Sequence, residues 1–158
     1  MRRLTATEAS LLRRSYSDFM EQDIRPNVAV TATLCQGRSF QSQLGQSWRQ
    51  GDPISYEGIL AGLITRLSKR MLGRRTVEKY GKRIAAGGVI EGNGVDQAYH
   101  AHLFLRKPDH VDMMDFDAAI REVFSQSDWL KADLDVQEIE GAWVRYCHKR
   151  NFDTFMYL

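Results

Sequence analysis

The sequence predicts an α+β domain in which helices pack on a central antiparallel β-sheet, and three observations lead there. Between residues 56 and 72, Ile59, Leu60, Leu63, Ile64, Leu67 and Met71 recur at i, i+4 spacing, the pattern of a helix with one apolar face. Residues 84–91 and 99–106 read as two strands joined by Gly92-Asn93-Gly94, a turn signal that suits a hairpin. Residues 28–34 (Val-Ala-Val-Thr-Ala-Thr-Leu) are rich in β-branched side chains and read as a further strand.

The remaining elements follow in order. Leu11, Leu12, Tyr16, Phe19 and Met20 recur at helical spacing over 6–22, with Thr5 or Thr7 as the cap and Pro26 beyond the end. Residues 36–53, with Gly37, Gly45, Gly51, Pro53 and many Gln and Ser, read as a polar, mobile loop. Gly73 interrupts the helix at 56–72 before a second helical stretch running to about Lys82. Phe116, Ala119, Ile120, Val123 and Phe124 mark a helix packed on one face, and Leu134 and Val136 a short strand. A helix is expected over 142–150, then an aromatic tail of Phe152, Phe155 and Tyr157. The chain shows no repeat and no linker, so 1–158 is read as one domain.

Composition narrows the classes. At 158 residues the chain can bury a real core, and 43% hydrophobic with 27% charged residues is the balance of a globular protein. No run approaches the eighteen apolar residues of a membrane span, and the start lacks the apolar stretch of a secretory signal. Cys35 and Cys147 make no disulfide framework. The expectation is an intracellular, reducing compartment, bacterial cytoplasm or host nucleus, and no membrane. Net charge is +2, but Arg66, Lys69, Arg70, Arg74, Arg75, Lys79, Lys82 and Arg83 are opposed only by Glu78. Such a stripe suits a phosphate backbone; a solvated helix face gives the same pattern.

The chemistry-bearing residues lie further on. His100 and His102 sit at i, i+2 in an apolar strand, so they share a face, about 7 Å apart. Two imidazoles there can converge on one cation. Glu91 ends the preceding strand, and in a hairpin its carboxylate can face the pair. One Glu with two His leaves coordination positions open, and suits Mn²⁺ or Mg²⁺, with Zn²⁺ also compatible with imidazole. Tyr146 and Lys149 lie at i, i+3 on the last helix, where an ammonium can stabilise a phenolate or a developing phosphorane. A tyrosine that anchors the helix beside a snorkelling lysine fits the same spacing.

Taken together, these segments resemble the single-tyrosine replication initiators of the HUH endonuclease superfamily, with circovirus-like spacing. His100-Ala101-His102 is similar to the family's His-hydrophobic-His motif, with alanine a small residue for the middle position. Tyr146-Cys147-His148-Lys149 fits its Tyr-x-x-Lys motif, and Glu91-Gly92-Asn93 resembles the acidic third ligand, nine positions before His100. The strand at 28–34, with Thr31 and Thr33, lies where the first motif would fall. The resemblance covers mainly residues 28–34 and 89–150.

The resemblance implies an RNA-recognition-motif-like sheet, a Mn or Mg site on Glu91, His100 and His102, and a single-stranded DNA origin as substrate. It implies that Tyr146 forms a 5′-phosphotyrosine link with Lys149 assisting, which initiates rolling-circle replication. DNA contacts would come from Thr31, Thr33, Arg66, Lys69, Arg70, Arg74, Arg75 and Arg106. No Gly-x-x-x-x-Gly-Lys-Ser/Thr loop occurs, so a helicase would act in trans or in a further domain. Two alternatives stand beside this reading. One is a single-tyrosine transposase, although Arg150 stands where those enzymes more often place Gln. The other is a non-catalytic RNA-recognition-like module with a packed His pair.

Overall fold

A computed structural model describes residues 5–43, 45–139 and 154–158. The chain begins with helix α1 (Ala6–Phe19). Thr5 caps it in a reciprocal box: its hydroxyl accepts from the Glu8 N–H, and the Glu8 carboxylate accepts from the Thr5 N–H at 2.8 Å. A π-helical turn, Met20–Ile24, extends the helix beyond the expected end. Arg25, in the left-handed region at φ 50°, closes that turn by donating to the Met20 carbonyl at 2.9 Å, and Pro26 follows.

Strand β1 (Val28–Leu34) has the bounds expected from its β-branched run. The polar segment after it is not a loop. It forms a hairpin of β2 (Gly37–Ser42) and β3 (Gly45–Gln50), paired from Gly37↔Gln50 to Ser42↔Gly45. The polarity suggested a loop, but two residues anchor the hairpin to the body. Phe40 packs against Trp129 with ring centroids 6.0 Å apart, and Arg38 pairs with Asp128 at 2.7 Å. Neither partner is local in sequence.

Helix α2 (Pro53–Leu72) starts on Asp52, whose carboxylate accepts from the Ser55 N–H, with proline in the first turn. Gly73 at φ 85° separates it from α3 (Arg74–Tyr80). Strands β4 (Ala86–Glu91) and β5 (His100–Leu105) follow, then α4 (Met113–Phe124), β6 (Leu130–Glu138) and β7 (Thr154–Tyr157). Phe155 and Tyr157 of the expected aromatic tail thus lie in a strand, and Phe152 lies outside the described residues. The expected helix over 142–150 lies outside the described residues.

Five strands form one antiparallel sheet in the order β6-β1-β5-β4-β7, which bears out the α+β class and the antiparallel sheet. Alternation divides its residues between two faces. Val28, Val30, Ala101, Leu103 and Leu105 point to one side and bury against Leu60, Leu63, Ile64 and Leu67 of α2 and Phe116, Ile120, Val123 and Phe124 of α4. Phe104 points to the other side, where Met20 and Ile24 of the π-turn cover it. Tyr16 of α1 lies against β4 and β7: its hydroxyl accepts from the Gly88 N–H at 2.9 Å and donates to the Met156 carbonyl at 2.6 Å. So α1 and the π-turn cover one end of this second face. His100 and His102 stand toward the other end.

Candidate metal site

Three strands bring the site together. In the β4–β5 ladder Glu91 is the direct partner of His100, and Val89 of His102. In the β1–β5 ladder Thr31 pairs with His102 and Thr33 with His100. All these side chains share the face that carries Phe104, away from α2 and α4. The hairpin geometry expected from the Gly92-Asn93-Gly94 turn is therefore present. Gly92 and Gly94 adopt φ of 113° and 70°, and the Asn93 side-chain oxygen accepts from the N–H groups of Val95, Asp96 and Gln97.

The Glu91 Oε2 lies 3.2 Å from His102 Nε2, with both side chains largely shielded from solvent. An ionised carboxylate can only accept, so in this contact the imidazole Nε2–H donates. His102 Nδ1 is then the nitrogen that faces the Thr31 hydroxyl at 3.2 Å. His100 is held differently. Its Nδ1 lies 3.3 Å from Thr33 Oγ1, and that hydroxyl donates to Asp133 Oδ2 at 2.7 Å. The hydrogen bond from Thr33 holds the Asp133 carboxyl below the usual carboxylate range.

Asp133 was not legible as a site residue. Its place depends on an irregularity in β6: pairing steps from Ala32↔Leu134 to Leu34↔Leu130, so the intervening β6 residues bulge opposite Thr33. Alternation with Leu134 and Val136 was the signal that Asp133 and Asp135 share a face. Nothing in the sequence said that this strand lies beside β1.

The donors do not all converge. Among the described residues, no three His, Cys, Asp or Glu side chains form a ready metal-binding group. Glu91 and His102 are in contact, whereas His100 is turned to Thr33. Glu91 and His102 offer one carboxylate oxygen and one imidazole, donor types that divalent cations accept, with His100 the neighbouring imidazole on the same face.

The other expected residues lie in several places. Thr31 and Thr33 contact the imidazoles. Arg66, Lys69, Arg70, Arg74 and Arg75 belong to α2 and α3, and α2 covers the sheet face opposite the histidines. Three of these are ion-paired: Lys69 and Arg74 with Glu78, and Arg70 with Glu122. Arg106 follows the far end of β5 and pairs with Asp109. Tyr99 packs on the α2 face, 5.3 Å from the Tyr56 ring, as strand alternation from His100 requires. Tyr146 and Lys149 lie outside the described residues. No described helix is long and apolar enough to cross a membrane.

The fold and site define an α+β protein with a carboxylate–imidazole cluster on one face of an antiparallel sheet. Comparison with protein families, curated proteins and solved structures finds no match for this chain.

Proposed function

We propose that this chain is an HUH-type endonuclease and strand transferase acting on single-stranded DNA, as an initiator of rolling-circle replication, with Mn²⁺ or Mg²⁺ at Glu91, His102 and His100. The observation that carries the reading is the contact of Glu91 with His102 across the β4–β5 ladder, on the face that also bears His100. Asp133 and Asp135 lie on the same face, so its carboxylates favour a cation. When bound, that cation would neutralise charge on a non-bridging phosphate oxygen.

The chain's own residues do the rest. Thr31 and Thr33 hold the imidazole rings in place. Tyr146 Oη gives up its proton as it attacks phosphorus, the bond from phosphorus to the 3′-oxygen breaks, and the departing 3′-oxygen takes up a proton in exchange. The product is a 5′-phosphotyrosine and a free 3′-hydroxyl, and a second 3′-hydroxyl can reverse the exchange. Lys149 stabilises the charge that develops around the phosphorus; losing such a group costs on the order of 10²-fold in rate.

This reading places a topological demand on the chain. Strands β6 and β7 are the two opposite edges of the sheet, and residues 139–153 join them. The edges are four strand spacings apart, about 19 Å. The mechanism requires this connection, with Tyr146 near its middle, to cross on the histidine face.

A second reading has a specific observation in its favour. Thr31 and Glu91 engage both ring nitrogens of His102, and Thr33 engages Nδ1 of His100, as a packed, non-catalytic pair would favour. A nucleic-acid-binding module of that kind needs no metal and forms no covalent product. Incubation with a random single-stranded DNA library and Mn²⁺, followed by a denaturing gel, separates the two. The enzyme reading expects a protein–DNA adduct that is lost in Tyr146→Phe and in His102→Ala. An adduct that persists in Tyr146→Phe overturns the nucleophile, and no adduct from the wild-type protein overturns the enzyme.

A further inference from the structure

The hydroxyl of Thr33 is engaged on two sides. It is almost buried, at 8% exposure. It donates its one proton to Asp133 Oδ2 at 2.7 Å, and its oxygen lies 3.3 Å from His100 Nδ1. A hydroxyl has a single proton to give. With that proton committed to a carboxylate, the oxygen can meet the imidazole only as an acceptor. Nδ1 of neutral His100 must then carry the hydrogen, and Nε2 the lone pair.

We propose that Asp133 and Thr33 form a hydrogen-bonded relay that fixes neutral His100 as its Nδ1–H tautomer and presents Nε2 as the free donor atom. Free imidazole prefers the opposite tautomer, so the relay works against an intrinsic preference. The neighbouring histidine shows the contrast. His102 gives its Nε2–H to Glu91, and its Nδ1 faces a Thr31 hydroxyl for which the described residues show no carboxylate contact like that of Asp133. The two imidazoles lie two positions apart on one strand, and it is His100 for which the described residues show a carboxylate behind the hydroxyl. The bulge in β6 brings that carboxylate into reach.

Asp133 and Thr33 are thus positioning residues, acting through His100. The tautomer stands on hydrogen-bond geometry alone. Its consequence for metal affinity rests on the proposed function, because a ligating imidazole is commonly set by the bond its other nitrogen makes.

Long-range ¹H–¹⁵N correlation spectra of the full chain, without added metal and at a pH where His100 is neutral, test the relay directly. His100 is assigned by the signals lost in His100→Gln. The expected result is an Nδ1–H tautomer in wild type and in Thr33→Ser, which keeps the hydroxyl. Thr33→Val should shift His100 toward Nε2–H. Asp133→Ala, an exposed change that keeps the fold if Thr33→Val does not, should give a mixture. An Nε2–H tautomer in wild type, or an unchanged Nδ1–H in both Thr33→Val and Asp133→Ala, overturns the relay. Mn²⁺ titration followed by electron paramagnetic resonance reads the consequence. Thr33→Val should weaken binding by about 10- to 100-fold, with Thr33→Ser close to wild type. A tautomer that shifts as expected in a protein that binds no Mn²⁺ supports the relay and overturns the metal site.

Discussion

Tyr16 shows how one hydroxyl can secure a distant edge. It takes the Gly88 N–H and gives its own proton to the Met156 carbonyl, bridging β4 and β7 from a helix more than seventy residues earlier. Burial pushes its phenol up to about 12. A folded value above the unfolded one, near 10, means the stabilisation is whole below pH 10 and is lost as pH rises through 12. Tyr56, fully buried with its hydroxyl on the Cys35 carbonyl, is also pushed up to about 12 and acts in the same direction. Urea melts between pH 9 and 12 should therefore show falling stability, by about 2–3 kcal/mol for Tyr16. Tyr16→Phe leaves two backbone groups without this partner. It should cost about 1–3 kcal/mol at pH 8 and reduce the alkaline loss; a variant as stable as wild type would count against the bridge.

At the scale of elements, β4 is the strand on which α1, β5 and β7 all close, and its glycines show how tightly. A Cβ at Gly87 would come within 2.6 Å of the Met20 sulfur, the end of a flexible side chain. One at Gly88 would come within 2.6 Å of the His102 carbonyl oxygen, which is backbone and cannot swing aside. Gly88→Ala should thus be the more damaging change, about 2–3 kcal/mol against about 1 kcal/mol for Gly87→Ala. Thermal melts of the two variants measure this, and the reverse order would mean that β5 adjusts more easily than Met20. The β2–β3 hairpin depends on tertiary anchors in the same way. Phe40→Ala removes its packing on Trp129. Hydrogen exchange should then quicken across residues 37–50 while β1 and β5 stay protected.

For the whole molecule, the question is how the two edges of the sheet are joined. With α2 and α4 occupying one face, the proposed nickase mechanism would require residues 139–153 to pass over the other. A benzophenone amino acid in place of Tyr146 should, on irradiation, cross-link to peptides of β1, β4 or β5. Cross-links to α2 or α4 would place the tyrosine across the sheet from the histidines and end the mechanism. The basic stripe is on the α2 side, and Glu78 and Glu122 neutralise part of it. Substituting Arg66 and Arg75 together should therefore change DNA affinity less than removing Glu91 or His102, as a filter-binding titration with Mn²⁺ would show.

The sequence by itself determined the α+β class, the bounds of β1, the amphipathic helix α2 and the hairpin that sets Glu91 beside the His pair. These rest on local periodicity and turn chemistry, which neighbours along the chain are enough to specify. It also put His100 and His102 on one face and Tyr99 on the other, because alternation in a strand needs no partner. Tertiary structure decided the rest. The hairpin at 37–50 and the strand at 154–157 are held by Trp129, Asp128 and β4, none of them close in sequence. Asp133 joined the site only because β6 pairs with β1 and bulges beside Thr33. Which side of the sheet the basic stripe occupies was likewise fixed by the packing of α2, since a helical pattern names a buried face but not the surface that buries it.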